Sequence, residues 1–321
     1  MYNEAMKKAI CIFPLLLVGA VLAAEPVRLD TGTGTLYGTL ETPAAKPPYP
    51  VVLIIAGSGP TDRDGNSPLL PGKNDSLKML AEGLAARGIA SLRYDKRLIG
   101  ESKIVGLKEE DLRFETYVAD AVRWGEYLRK DPRFRSLVVA GHSEGSLIGM
   151  LAAQKLAANG YVSIAGAGRP AGQVVLEQFR SRPLPADLMK QVEDDVKALD
   201  AGHTVESVPP ALAALFRPSV QPYLISWFRY DPAREIARLN MPVLIVQGTT
   251  DIQVSVADAK LLAQASPGAK LAVIEGMNHV LKEVPAAMDK QIASYGDPSL
   301  PLAAKLVNEI ASLIDGLKAS N

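Results

Sequence analysis

Leu137-Val138-Val139-Ala140-Gly141-His142-Ser143-Glu144-Gly145-Ser146 decides the fold: an apolar run, a Gly-x-Ser-x-Gly turn, and then the helix-like stretch up to Ala158. The order is strand, sharp turn, helix. A serine on such a turn has a strained backbone, and the helix must pass close to the strand it has just left. Both demands call for small flanking residues, which Gly141 and Gly145 supply. Ser143 is then expected to project its hydroxyl into an open site. The backbone N–H of Glu144 and the positive end of the helix would face any oxyanion that forms there.

A serine hydroxyl is a weak nucleophile unless a histidine takes its proton and a carboxylate orients that histidine. The chain has three histidines, His142, His203 and His279. His142 adjoins Ser143, where neighbouring side chains diverge, and is expected to pack or hydrogen-bond around the turn. His203 follows Gly202 at the end of an expected helix, an ordinary position for an exposed histidine. His279 remains, in the polar loop Glu275-Gly276-Met277-Asn278-His279 directly after the short strand Leu271-Ala272-Val273-Ile274. Upstream, the strand Pro242-Val243-Leu244-Ile245-Val246-Gln247 runs into Gly248-Thr249-Thr250-Asp251, again a loop at a strand's carboxyl end. The chain order is Ser143, Asp251, His279.

In this arrangement the chain resembles the α/β-hydrolases, whose triads run nucleophile, acid, histidine on loops after successive strands. The likeness covers most of the chain after its N-terminal segment. Within that superfamily it is similar to bacterial secreted carboxylesterases, and more distantly to dienelactone hydrolases and prolyl oligopeptidases. Three segments carry the closer likeness: 56–66 (AGSGPTDRDGN), 93–97 (RYDKR) and 247–251 (QGTTD). Two departures stand out. Ala56 occupies a position where many members have histidine, and Leu98-Ile99-Gly100 follows Arg97 where many have glycine at once. The resemblance implies an ester hydrolase working through an acyl-enzyme, with Ser143 as nucleophile, Asp251 and His279 completing the triad, and no cofactor.

The glycine-rich loop after Val51-Val52-Leu53-Ile54-Ile55 has a chemical reason of its own. Acyl transfer develops negative charge on the carbonyl oxygen, which needs two backbone donors. From its place after the first central strand, Ser58 is the expected donor, with Gly59 as second choice; Glu144 supplies the other amide. The Glu144 carboxylate itself is expected to serve the helix dipole and need not touch substrate. Asp62-Arg63-Asp64 invites a metal reading but lacks the other ligands and spacing of a calcium loop. A turn and an Arg–Asp brace on the rim are expected instead, and no metal site.

At 321 residues and 48% apolar, the chain can bury one large core. Its 35 Lys and Arg balance 35 Asp and Glu, so a nucleic-acid partner is not implied. The start reads Met6-Lys7-Lys8, an apolar stretch over 9–22, then Ala23-Ala24 before Glu25-Pro26. That is the pattern of a cleavable secretory signal over 1–24, with Met6 a candidate start, and it predicts a periplasmic or secreted protein with no stable membrane span after processing. An uncleaved anchor is the alternative, from a run short for spanning. The single cysteine, Cys11, lies inside that segment and follows Ile10, which does not suit a lipoprotein site. The mature chain would therefore carry neither thiol nor disulfide, which suits the periplasm.

Strands are expected around 27–29, 35–41, 51–55, 89–94, 136–140, 161–165, 242–247 and 271–274, with helices near 77–87, 114–129 and 303–317. The fold class is α/β: a mostly parallel twisted sheet with helices on both faces and an antiparallel edge from the first two strands. The core is divided into 25–170 and 231–321 by a helical cap at 171–230, because that connection is far longer than one crossover needs. Leu188, Val192, Val196 and Leu199 keep helix spacing, with Glu193, Asp194 and Asp195 turned mostly outward. Phe216, Tyr223, Trp227, Phe228 and Tyr230 crowd one stretch of a chain poor in aromatics. They form either the cap's own core or the lining of an apolar substrate pocket; Phe216, Tyr223, Trp227 and Phe228 are the substrate-binding candidates. A peptidase or thioesterase on the same triad, or a hydrolase-fold binding protein that no longer catalyses, are the alternatives. A fixed carboxylate for a substrate amine would mark the first, a basic groove the second.

Overall fold

The computed structural model describes residues 23–181 and 183–318. Of the signal segment expected over 1–24, residues 1–22 lie outside them, while Ala23 and Ala24 open the first strand. In chain order the strands and helices are β1 (Ala23–Asp30), β2 (Thr35–Thr42), β3 (Tyr49–Ile55), α1 (Ser76–Ala85), β4 (Ala90–Tyr94), α2 (Phe114–Arg129), β5 (Phe134–His142), α3 (Glu144–Leu156), β6 (Gly160–Ile164), α4 (Ala171–Arg180), α5 (Ala186–Asp200), α6 (Ala213–Phe216), α7 (Gln221–Phe228), α8 (Pro232–Ile236), β7 (Val243–Gly248), α9 (Val256–Ala265), β8 (Lys270–Ile274), α10 (Met288–Ser294) and α11 (Ala304–Lys318). One sheet runs β1-β2-β4-β3-β5-β6-β7-β8. β1 and β2 pair antiparallel, as do β2 and β4; every later pairing is parallel.

The central strands are buried on both faces, so they read as continuous apolar runs rather than alternating ones. One core cluster joins Leu53, Ile55 and Val139 to Trp124 of α2, Ile148 of α3 and the cap; the other joins Val52, Ile54 and Val138 to Leu80 of α1 and Ile310 of α11. The two layers hold the sheet rigid, and its carboxyl ends carry the candidate loops. Helices α4 to α8 occupy the long connection between β6 and β7, with α4 to α7 inside the span 171–230 and α8 just after it. In α5, Val192, Val196 and Leu199 are buried as their spacing predicts, and Glu193 and Asp194 are exposed. Asp195 departs from the expected outward orientation. It is buried, accepts a 2.6 Å hydrogen bond from Gln191 Nε2, and burial raises its carboxyl above the ordinary value. Among the described residues, no helix is long and apolar enough to cross a membrane.

Candidate active site

Ser143 sits between β5 and α3 with φ 55° and ψ −122°, a backbone conformation that costs an L residue energy and persists only when its surroundings impose it. The imposition is visible. Any side chain at Gly141 would collide with the Gly145 carbonyl, and one at Gly145 would collide with the carbonyls of Ile55 and Ala56. The Ser143 amide donates to Ile164 O on β6 at 2.9 Å, pinning the turn to the neighbouring strand. The two glycines thus meet the close approach that their spacing implied.

Asp251 and His279 come together on the loops after β7 and β8. His279 Nδ1 donates to Asp251 Oδ2 at 2.8 Å, and His279 is buried. Asp251 Oδ1 accepts from the amides of Gln253 and Val254 at 2.8 and 3.0 Å, and Oδ2 also accepts from Gln247 Nε2 at 3.0 Å. Burial pushes the Asp251 carboxyl up, but the charge of His279 and these hydrogen bonds outweigh it and leave the group below its ordinary value. A carboxylate fixed in this way fixes the histidine ring with Nε2 free to take a proton. Gln247 opens the segment 247–251, and the sequence alone assigns it no role; its position four residues before Asp251, at a strand's end, is the available signal.

His142 links this pair to the Ser143 turn. Its Nε2–H donates to the His279 carbonyl at 2.8 Å, and the two rings lie 4.8 Å apart, centroid to centroid. Burial, reinforced by the neighbouring charge of His279, pushes the His142 ring down to about 3, so it is neutral in the folded protein. It therefore braces the turn, the role its place beside Ser143 suggested. His203 is exposed beyond the end of α5.

The loop after β3 passes directly over Ser143: a Cβ added at Gly57 would lie 3.1 Å from Ser143 Cβ and 3.4 Å from His142 Nδ1. Among the described residues, neither the Ser58 nor the Glu144 amide donates to another protein group. Both residues, and Gly59, border the same cavity as Ser143. Glu144 differs from expectation in its side chain, which does more than serve the helix dipole. Its Oε2 pairs with Lys96 Nζ at 2.9 Å and its Oε1 accepts from Tyr223 Oη at 2.7 Å, all three residues being buried. On the rim, Asp62 closes a turn by accepting from the amides of Asp64 and Asn66, Arg63 pairs with Asp95 at 2.8 Å, and Arg93 pairs with Asp64 at 2.7 Å. These are the expected turn and brace.

A cavity of about 510 Å³ opens above Ser143, walled by core residues such as Leu98 and Leu147 and by cap residues such as Val174, Leu224 and Trp227. Leu98 has φ 67°, which favours glycine, at the position where the related pattern carries glycine; its side chain is spent on the cavity wall. Of the four substrate-binding candidates, Tyr223 and Trp227 border the cavity. Phe216 and Phe228 do not; they are buried in the core, Phe216 stacked on Phe179 and Phe228 against Trp227. Side-chain direction on a short helix follows packing against its neighbours, and spacing alone does not reveal it. Every carboxylate on the cavity wall is already matched: Glu144 by Lys96, and Glu109 by Arg217 through its Nε at 2.9 Å.

Comparison with known proteins agrees with this architecture. The family model described as serine aminopeptidase, S33 (Hydrolase_4) matches residues 73–201, a span that includes Ser143 but neither Asp251 nor His279. Esterase EstD of Thermotoga maritima is 29% identical over 256 residues, which is 78% of this chain and 59% of that protein; the chain thus spans well under two thirds of that relative's length. Among solved structures, Est1E from Butyrivibrio proteoclasticus superposes with a TM-score of 0.59 at 17% identity, covering 92% of this chain and 99% of that one. The alpha/beta hydrolase GrgF from Penicillium sp. gives 0.59 at 18% identity, covering 93% and 100%. With the sheet order, the strained turn and the loops that carry Asp251 and His279, these likenesses show that the chain adopts the α/β-hydrolase fold.

Proposed function

We propose that this protein is a serine hydrolase of carboxylic esters. One observation carries the reading: a strained serine opens onto an apolar cavity, while a 2.8 Å Asp251–His279 pair is tied to the same turn through His142. In this mechanism Ser143 Oγ attacks the ester carbonyl carbon as His279 Nε2 takes its proton. The amides of Ser58 and Glu144, with Gly59 as the alternative donor, hold the oxyanion of the tetrahedral intermediate. Collapse expels the alcohol, which leaves with the proton from His279, and an acyl group stays on Ser143. Water, deprotonated in turn by His279, attacks the acyl carbon; the bond to Ser143 Oγ breaks, the acid leaves, and His279 returns the proton to Oγ. Asp251 holds the ring and balances its charge. The proton transfers use groups of this chain, with water as the second substrate.

The matched carboxylates of the cavity favour esters over peptides with a free amino terminus. Glu144 and Glu109 already have cationic partners, and a substrate ammonium would have to displace one. That EstD is named an esterase points the same way. The mostly apolar wall fits an aliphatic or aromatic acyl or alcohol group. We further propose that the protein acts after export to the periplasm or beyond, a reading supported by the basic, apolar and small-residue pattern over 6–24.

The test is a panel of p-nitrophenyl esters of increasing chain length set beside aminoacyl p-nitroanilides. Ester turnover is expected to dominate, and Ser143→Ala and His279→Ala are each expected to lower it by about 10⁴-fold or more without loss of fold. Folded Ser143→Ala with near wild-type turnover, or a preference for aminoacyl anilides, would contradict the proposal.

A further inference from the structure

We propose that Lys96 is the positioning residue of the oxyanion hole, holding the two donor peptides in register with one another; the inference rests on Ser143 being the nucleophile. Lys96 lies two residues beyond the end of β4, with its side chain only 2% exposed. Its Nζ donates to the Gly57 carbonyl at 2.5 Å and to Glu144 Oε2 at 2.9 Å, and stands 5.1 Å from the centroid of the Tyr117 ring. One ammonium thus joins the loop after β3 to the first residue of α3.

The consequence follows from peptide geometry. The Gly57 carbonyl and the Ser58 N–H belong to one planar trans peptide unit and point in opposite directions. Fixing the carbonyl on Lys96 therefore fixes the direction of the Ser58 N–H. A cation on that carbonyl also polarises the unit and strengthens the same N–H as a donor. The second donor is the Glu144 amide, and the carboxylate of that same residue is gripped by Lys96 and by Tyr223 Oη. Tyr223 stands on α7 of the cap and borders the cavity, so the cap braces the same clamp. A buried ion pair is often no more stabilising than apolar packing, so its presence at this junction calls for a positional reason.

The experiment compares wild type with Lys96→Met, which keeps length and apolar volume but removes the charge and the donor. Three quantities are read: kcat and KM for a short p-nitrophenyl ester, inhibition by an alkyl trifluoromethyl ketone, and inhibition by the corresponding unreactive alcohol. The ketone accepts the serine oxygen and places an oxyanion in the hole, whereas the alcohol fills only the cavity. Lys96→Met is expected to lower kcat about a hundredfold with KM changed by less than about threefold, and to weaken the ketone by a similar factor while leaving the alcohol unchanged. A folded variant with kcat and ketone inhibition within about threefold of wild type would overturn the proposal, as would equal weakening of ketone and alcohol. Should Lys96→Met not fold, Glu144→Gln keeps the backbone amide and the shape but removes the charge that holds Lys96. It is expected to lose about tenfold in kcat and in ketone affinity, and unchanged values would equally overturn the clamp. A wild-type enzyme that fluorophosphonate fails to label would sink the nucleophile assignment itself. A labelled wild type with an unimpaired Lys96→Met would sink only the role of Lys96.

Discussion

Replacing His142 by asparagine should flatten the acid limb of the stability profile. The His142 ring is buried and donates to the His279 carbonyl, and its folded value is pushed from 6.5 down to about 3. As pH falls below 6.5 the unfolded chain takes up a proton at this ring while the folded chain does not, so stability is lost as pH falls from 6.5 towards 3. At about 1.4 kcal/mol per tenfold change, the loss attributable to this ring is about 2 kcal/mol between pH 7.5 and 5.0, and at most about 5 kcal/mol once pH is below both values. Asparagine does not titrate, and its amide can still donate toward the same carbonyl. The assay is urea unfolding of wild type and His142→Asn at the two pH values, read as the difference of differences so that the other titrating groups cancel. The wild type should lose about 2 kcal/mol more than the variant on acidification. Parallel pH dependences, agreeing within about 0.5 kcal/mol, would refute the claim that His142 is held neutral in the folded protein.

Gln247→Leu removes the side-chain amide that donates to Asp251 Oδ2 and to the Val254 carbonyl; kcat should fall about tenfold with little change in KM, and stability by about 1–2 kcal/mol, checked by steady-state kinetics and urea unfolding. Trp227→Ala, at the cavity wall, should lower kcat/KM for a long-chain ester relative to an acetate by about tenfold or more. Phe216→Ala, in the core, should leave that ratio unchanged and cost about 3–5 kcal/mol of stability.

The parts of this molecule legible in the sequence are those whose physics is local. Helix α2 spans Phe114–Arg129, the range expected from the sequence. The turn at Ser143 announced itself because two close backbone approaches demand two glycines at fixed offsets. Asp251 and His279 could be selected because each follows a short apolar strand, and because the chain offers only three histidines. What escaped depends on partners distant in the chain. Lys96 and Tyr223 stand 48 and 79 residues from the Glu144 they hold, and no spacing rule connects them. Asp195 carries a charge on a helix whose other acidic residues are solvated, yet the cap closes over it. Tyr223 and Trp227 border the cavity while Phe216 and Phe228 do not, and that is set by how the helices of this segment pack on one another and on α2.

The central claim is that Ser143 is an activated nucleophile, and the most direct measurement is intact-mass and peptide-mapping analysis after brief exposure to a fluorophosphonate. A single adduct on the peptide containing Ser143 is expected for wild type, with none for Ser143→Ala and a labelling rate lowered by orders of magnitude for His279→Ala. An unlabelled wild type, or an adduct on a different serine that persists in Ser143→Ala, would contradict the account.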